Sequence, residues 1–196
     1  GNAVASNATT LQQSIVIGDN AVGSGVATGA NNVIIGDNAG YALTSGASNT
    51  AVGASSLAAN TTGANNTALG ISSLGANTSG INNTAIGRLA LYGNTTAAGN
   101  VAVGNSSMQA NTTGANNTAV GTSALAANTT ATGNAAFGHA SLNSNTTGAS
   151  NTAIGFNNMS ANITGYNNSA LGYYALTLNT TGHSNVAVGL NALQAN

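Results

Sequence analysis

The sequence contains no cysteine, no proline, no tryptophan, no lysine and no glutamate. Without cysteine there is neither a disulfide framework nor a thiolate metal site, and the redox compartment is left open. Charged side chains are 2% of the 196 residues, against about 25% in ordinary globular chains. They can be named in full: Asp19, Asp37 and Arg88. One arginine cannot neutralise a phosphate backbone, so a nucleic-acid partner is not expected. A chain with so little charge has no self-repulsion to hold it in an extended coil. No apolar run approaches the ~20 residues that span a bilayer, and no signal peptide is visible, so membrane insertion is not expected and an exported protein would be represented by a mature or internal segment. Aromatic residues are only 4%, and nearly half of the 42% apolar content is alanine.

What fills the chain is Gly, Ala, Asn, Thr and Ser in strict order. Glycine recurs at Gly36, Gly53, Gly70, Gly87, Gly104, Gly121, Gly138, Gly155, Gly172 and Gly189, a span of 189 − 36 = 153 residues, or nine steps of 17. Four residues before each glycine stands Asn32, Asn49, Asn66, Asn83, Asn100, Asn117, Asn134, Asn151, Asn168 or Asn185. One residue before it stands an apolar side chain, from Ile35 and Val52 to Leu171 and Val188. Four residues after it, from the second coil onward, comes Leu57, Leu74, Leu91, Met108, Leu125, Leu142, Met159, Leu176 or Leu193, and seven after it a second asparagine column from Asn60 to Asn196.

A 17-residue unit is too short for the helical repeats, and glycine leaves no room for a helix of useful length. Each unit holds one short β-prone segment such as Thr84-Ala85-Ile86, then turn residues, then an apolar patch around Leu91, punctuated by Gly and Asn-Thr-Thr-Gly. The expected fold is all-β: a parallel β-solenoid, or β-roll, of ten to eleven coils with one 17-residue repeat per coil. At roughly 4.8 Å per coil the rod is on the order of 50 Å long. Residues 1–13 are expected to form an irregular N-terminal segment or degenerate coil, and residues 14–196 one continuous array that stops mid-coil, as in a piece of a longer parent. The Asn columns (Asn49 to Asn185) and Gly columns (Gly53 to Gly172) are expected to be structural ladders, with stacked amides satisfying buried polar groups. The core is expected to be thin, drawing on the Val/Ile/Leu column, the Leu/Met column and the alanines between two sheets. Alternation places Thr and Val/Ile/Leu on one strand face and Asn and Ala on the other. Neither face reads as strongly hydrated, so one packs inside the coil and the other meets a partner subunit.

The run Ile17-Gly18-Asp19-Asn20-Ala21-Val22-Gly23, followed by Val33-Ile34-Ile35-Gly36, resembles the YadA-like head repeats of trimeric autotransporter adhesins. That family's unit centres on a Ser/Thr-x-Ala-Ile-Gly strand. Asn83-Thr84-Ala85-Ile86-Gly87 and Asn151-Thr152-Ala153-Ile154-Gly155 are similar to the same strand on a longer coil, and Asn-Thr-Ala-Val-Gly arrays of this kind also occur in phage tail fibres. The resemblance covers the chain from about Ser14 onward. It implies a left-handed parallel β-roll that trimerises, displayed on a cell or virion and used for attachment. The 17-residue period departs from the usual family unit, and the neck, stalk and anchor of an autotransporter are not in the sequence.

Little in the chain suggests chemistry. The titratable side chains are Asp19, Asp37, Arg88, His139, His183 and the tyrosines. Asp19 and Asp37 follow equivalent coil-start glycines and could sit about 5 Å apart, raising each other's pKa as paired carboxylates do; solvated turn aspartates are the simpler reading. His139 and His183 lie about two and a half coils apart with no carboxylate or thiolate neighbour, which does not make a metal site. Calcium β-rolls need Asp in every unit, and there is none after Asp37. Neither a catalytic group, nor a cofactor, nor a metal site is expected. The Asn-Thr-Thr triplets at Asn60 and Asn111 match the glycosylation acceptor, but their recurrence with the coil favours a structural ladder. Tyr41, Tyr92, Phe156, Tyr166, Tyr173 and Tyr174 could stack against saccharides, although they read as scattered turn residues.

These observations lead to an extracellular fibre segment, at a cell or virion surface, that associates with itself as a trimer or filament and attaches to host glycans or matrix proteins by many weak contacts. A purely structural filament subunit is the alternative. Ice binding is a lesser one, because Thr61-Thr62 are adjacent and point to opposite strand faces. With so few charges, trypsin has a single site after Arg88, and any binding should be nearly independent of salt.

Overall fold

A computed structural model of the chain describes residues 12–23 and 27–194. They form a parallel β-solenoid with one three-residue strand per coil: β1 Ile15–Ile17, β2 Val33–Ile35, β3 Thr50–Val52, β4 Thr67–Leu69, β5 Thr84–Ile86, β6 Val101–Val103, β7 Thr118–Val120, β8 Ala135–Phe137, β9 Thr152–Ile154, β10 Ser169–Leu171 and β11 Val186–Val188. These make a single 11-stranded sheet in sequence order. The register is unbroken: Thr84 pairs with Thr67 and Val101, Ile86 with Leu69 and Val103. The first step is one residue longer than the rest, Ile15 pairing with Val33, 33 − 15 = 18. The strand segment expected at Thr84-Ala85-Ile86 is β5 itself. The expected second sheet is absent among the described residues. Residues 1–11 and Asn196, which carry the N-terminal segment and the mid-coil end, lie outside the described residues.

Three-residue strands cannot satisfy a 17-residue coil, so the remaining backbone must find partners elsewhere. It does so by continuing the ladder through the turns. In the β5 coil, Thr84, Leu91, Gly93 and Thr95 donate their N–H groups forward, to Asn100, Ser107, Gln109 and Thr112; Gly87, Leu89 and Gly99 donate backward, to Leu69, Ile71 and Ile81. Ala90 and Asn94 donate within the coil, to Gly87 and Leu91. The turns require left-handed backbone at fixed places. In the β4 coil Ser72, Leu74 and Asn82 have φ of 55°, 49° and 58°. A left-handed residue other than glycine costs roughly 1–2 kcal/mol, and every coil accepts such sites because neighbouring coils hold them from both sides. Gly87, with φ of 130°, could not be replaced: a Cβ there would fall 2.5 Å from the Gly104 carbonyl oxygen.

The core overturns one expectation. The strand residue that points inward is alanine: Ala51, Ala68, Ala85, Ala102, Ala119, Ala136 and Ala153 are fully buried. They pack against Leu57, Leu74, Leu91, Met108, Leu125, Leu142, Met159 and Leu176 from the turn. The Val/Ile/Leu column, expected in the core, lies on the outside, with Leu69 46% and Leu171 49% exposed. The reason is volume. A leucine entering from the turn leaves room for only a methyl group from the strand. Coil two shows the converse arrangement. Ile34 replaces the strand alanine, and Gly40 takes the place held elsewhere by leucine; a Cβ on Gly40 would lie 3.3 Å from Ile34.

Candidate functional site

The interior is the most ordered polar structure in the molecule, and it consists of asparagine. In one column, from Asn49 to Asn185, the backbone N–H of each residue donates to the Oδ1 of the asparagine one coil earlier at 2.9–3.0 Å. In the second column, Asn77, Asn94, Asn111, Asn128, Asn145, Asn162 and Asn179 donate Nδ2 to the preceding Oδ1 at 2.7–3.3 Å. The amides of the Asn60 and Asn111 triplets are buried in this second column, and Asn111 spends Nδ2 on Asn94 and Gly114, so neither side chain is presented to a glycan. The first threonine of each triplet is also used: Thr61 donates Oγ1 to the Thr78 carbonyl, and Thr112 to the Thr129 carbonyl. Among the described residues these ladders and the Ala and Leu side chains are buried, and the candidate sites lie on the outside.

Three outer features stand out. The first is the outward strand face. Its apolar column runs from Ile17 to Val188, exposed at Leu69, Ile86, Phe137 and Ile154 and half-buried at Ile35, Val52, Val103 and Val120, beside a column of Thr50, Thr67, Thr84, Thr118 and Thr152. Exposed Ile71 and Leu190, just past the coil-start glycines, widen it. A contiguous apolar stripe along a whole rod is unusual on a monomeric protein.

The second feature is aromatic. His139, Phe156 and Tyr173 are spaced by 17 residues and stack, with ring centroids 5.0 and 5.2 Å apart and interplanar angles of 15° and 8°. Tyr174 meets Phe156 and Tyr173 edge-on. Tyr166 and His183, again one coil apart, stack at 4.7 Å. The aromatics are therefore not scattered; the 17-residue spacing of positions 139, 156 and 173 was the available signal. Stacking covers both faces of Phe156, between His139 and Tyr173, and one face of each outer ring. The Tyr173 phenol is held above the ordinary tyrosine range, first by lost solvation and then by Tyr174 beside it. The third feature is a groove beside Tyr92, the remaining aromatic column, which also holds Tyr41.

The other titratable residues are dispersed. Asp19, Asp37 and Arg88 are exposed on the outer turn, and the hydrogen bonds at both aspartates run through their carbonyl oxygens, to Asn38 N–H and Ser55 N–H. Among the described residues no three His, Asp or Glu side chains come together where a metal ion could be held, and no helix is long and apolar enough to cross a membrane. No protein family, no curated protein and no solved structure matches this chain.

Proposed function

We propose that the chain is a segment of an extracellular fibre, structural and adhesive and not enzymatic, whose rods associate with copies of themselves through the outward strand face. One observation carries this reading: an apolar column that could have filled the core instead faces outward, exposed at Ile17, Leu69, Ile86, Phe137, Ile154, Leu171 and Val188 and half-buried at Ile35, Val52, Val103 and Val120. Burying apolar area is worth roughly 25 cal/mol per Å², and a stripe repeated on eleven strands multiplies a weak contact by the number of coils. Copies of one rod present the same 17-residue spacing, so a partner rod can match the stripe coil for coil. The resemblance to YadA-like heads favours three rods around a common axis, with attachment to glycans or matrix proteins at a cell or virion surface. The interior asparagine ladders suit a purely structural filament equally well, and the assembly state separates the two.

Light scattering with electron microscopy of the purified chain tests the proposal. Discrete trimers support the attachment-fibre reading, long uniform filaments the structural one, and monomeric rods at high concentration defeat both. The double variant Leu69→Lys with Ile86→Lys places two charges on the stripe and is expected to give monomers. Both side chains are exposed, so the fold itself should change by less than about 1 kcal/mol.

A further inference from the structure

Resting on the adhesive reading, we infer that the groove between Tyr92 and Asn143 is a binding subsite for a neutral saccharide. The groove has a volume of about 490 Å³ and is lined by Tyr92, Gln109, Asn143 and the small side chains of Ala126 and Ala127. That volume falls within the ~300–1,000 Å³ typical of small-molecule sites. Tyr92, Gln109, Ala126 and Asn143 occupy one column, each five residues past a coil-start glycine, so the groove runs along the rod over three steps of the coil, 143 − 92 = 51. At roughly 4.8 Å per step it is about 14 Å long, the extent of a short oligosaccharide.

Its chemistry is selective. Gly75, one coil back, leaves room for the Tyr92 ring: a Cβ there would fall 2.9 Å from Cε2 and 3.0 Å from Cδ2. Unlike the rings of the stacked ladder, Tyr92 stacks on no other aromatic; like them it is exposed, here at the groove's end. An aromatic ring suits the apolar C–H face of a sugar, and the phenol adds a hydrogen-bonding tip. Gln109 and Asn143 supply carboxamides, which donate and accept at once and so match a hydroxyl that does the same. Asn143 is oriented by Nδ2 donating to the Ser123 carbonyl at 3.0 Å, which leaves its Oδ1 as an acceptor. No charged side chain lines the groove, which argues against an anionic or cationic ligand and for a neutral one. Alanines form the floor between the polar ends, so a ligand can lie flat against the rod.

Saturation-transfer NMR with a panel of neutral chito-, malto- and galacto-oligosaccharides tests the inference on the intact chain. At least one series is expected to bind, with transfer to its ring protons. Tyr92→Ala should weaken that binding at least tenfold, and Gln109→Ala by a smaller factor. Ala126→Gln should block it by filling the groove with a side chain that the same column already carries at position 109. Tyr166→Ala, in the stacked ladder, should leave it unchanged. Circular dichroism confirms that each variant folds. The inference is overturned if no series binds, or if Tyr92→Ala and Ala126→Gln both leave binding intact. Assembly is measured separately: trimers that bind no saccharide remove the subsite and keep the fibre, whereas monomeric rods that bind through Tyr92 remove the self-association and keep the subsite.

Discussion

Asn83 and Asn94 donate to the same oxygen: their Nδ2 groups lie 2.8 and 3.1 Å from the carbonyl of Ala97. The two asparagines come from different columns, one before the strand and one after the turn, and the shared carbonyl joins them. The pattern repeats at Gly63, Gly80, Gly114, Ala131, Gly148, Gly165 and Gly182. Each such carbonyl uses both lone pairs inside a dry interior, where an unmade hydrogen bond is costly. The ladders therefore act as a polar core that sets the register of the coils.

Asn94→Ala removes one donor from Ala97, the acceptor of the Asn111 amide and the donor to Asn77. Stranding these groups should lower stability by about 2–4 kcal/mol. Asn158 provides the contrast: its Nδ2 donates to the Gly172 carbonyl at 2.9 Å, but its buried Oδ1 has no partner, and its column elsewhere holds Ser73, Ser107 and Ser141. Asn158→Ser should stay within about 1 kcal/mol of the parent. Urea midpoints read by circular dichroism compare the two, and equal losses would refute the ladder argument.

Gly114→Ala is expected to destabilise by about 1–3 kcal/mol. An added Cβ would run into the Ala131 carbonyl oxygen and sit 2.6 Å from Asn111 Oδ1. Two coils already carry alanine at this position, Ala97 and Ala131, and both have glycine two residues later, Gly99 and Gly133, with φ of 72° and 69°. Adding Asn116→Gly to Gly114→Ala should therefore restore much of the loss. A double-mutant cycle measures the coupling; simple additivity would show that the pairing is accidental.

Ala85→Ile should overpack the coil by about 1–3 kcal/mol. Combining it with Leu91→Gly copies the Ile34–Gly40 arrangement and should recover part of that cost. A pair less stable than both single variants would contradict the volume argument.

Ala140 has φ of 51° on the outer turn. Ala→Gly usually costs about 0.5–1 kcal/mol in regular structure. Here relief of left-handed strain opposes that loss, so Ala140→Gly should be neutral or stabilising by up to about 1 kcal/mol. A clear loss in thermal unfolding would count against it.

Trypsin should leave the folded rod intact although Arg88 is exposed. Both ends of the Arg88–Leu89 peptide are bonded to other coils, Leu89 N–H to Ile71 at 3.0 Å and the Arg88 carbonyl to Ser106 N–H at 2.9 Å. Cleavage needs that segment to open, so its rate should follow the unfolding equilibrium in urea. Rapid cutting in buffer would show a locally open coil.

By itself the sequence determined the period, the strand positions, the glycine column and the existence of two asparagine columns. It could do so because a coil touches mainly the coils next to it, so a fixed spacing in the chain becomes a straight column in space. Thr84-Ala85-Ile86 was legible as a strand on alternation alone. Only the tertiary structure decided which strand face turns inward. Ranking by hydrophobicity would bury Ile86 and expose Ala85, yet Leu91 arrives from the turn and fills the interior, so Ala85 is buried and Ile86 faces out. Only the tertiary structure, too, brings Asn83 and Asn94 onto one carbonyl. Their separations from Ala97 are 14 and three residues, and nothing in a linear repeat says which turn brings them to the same oxygen.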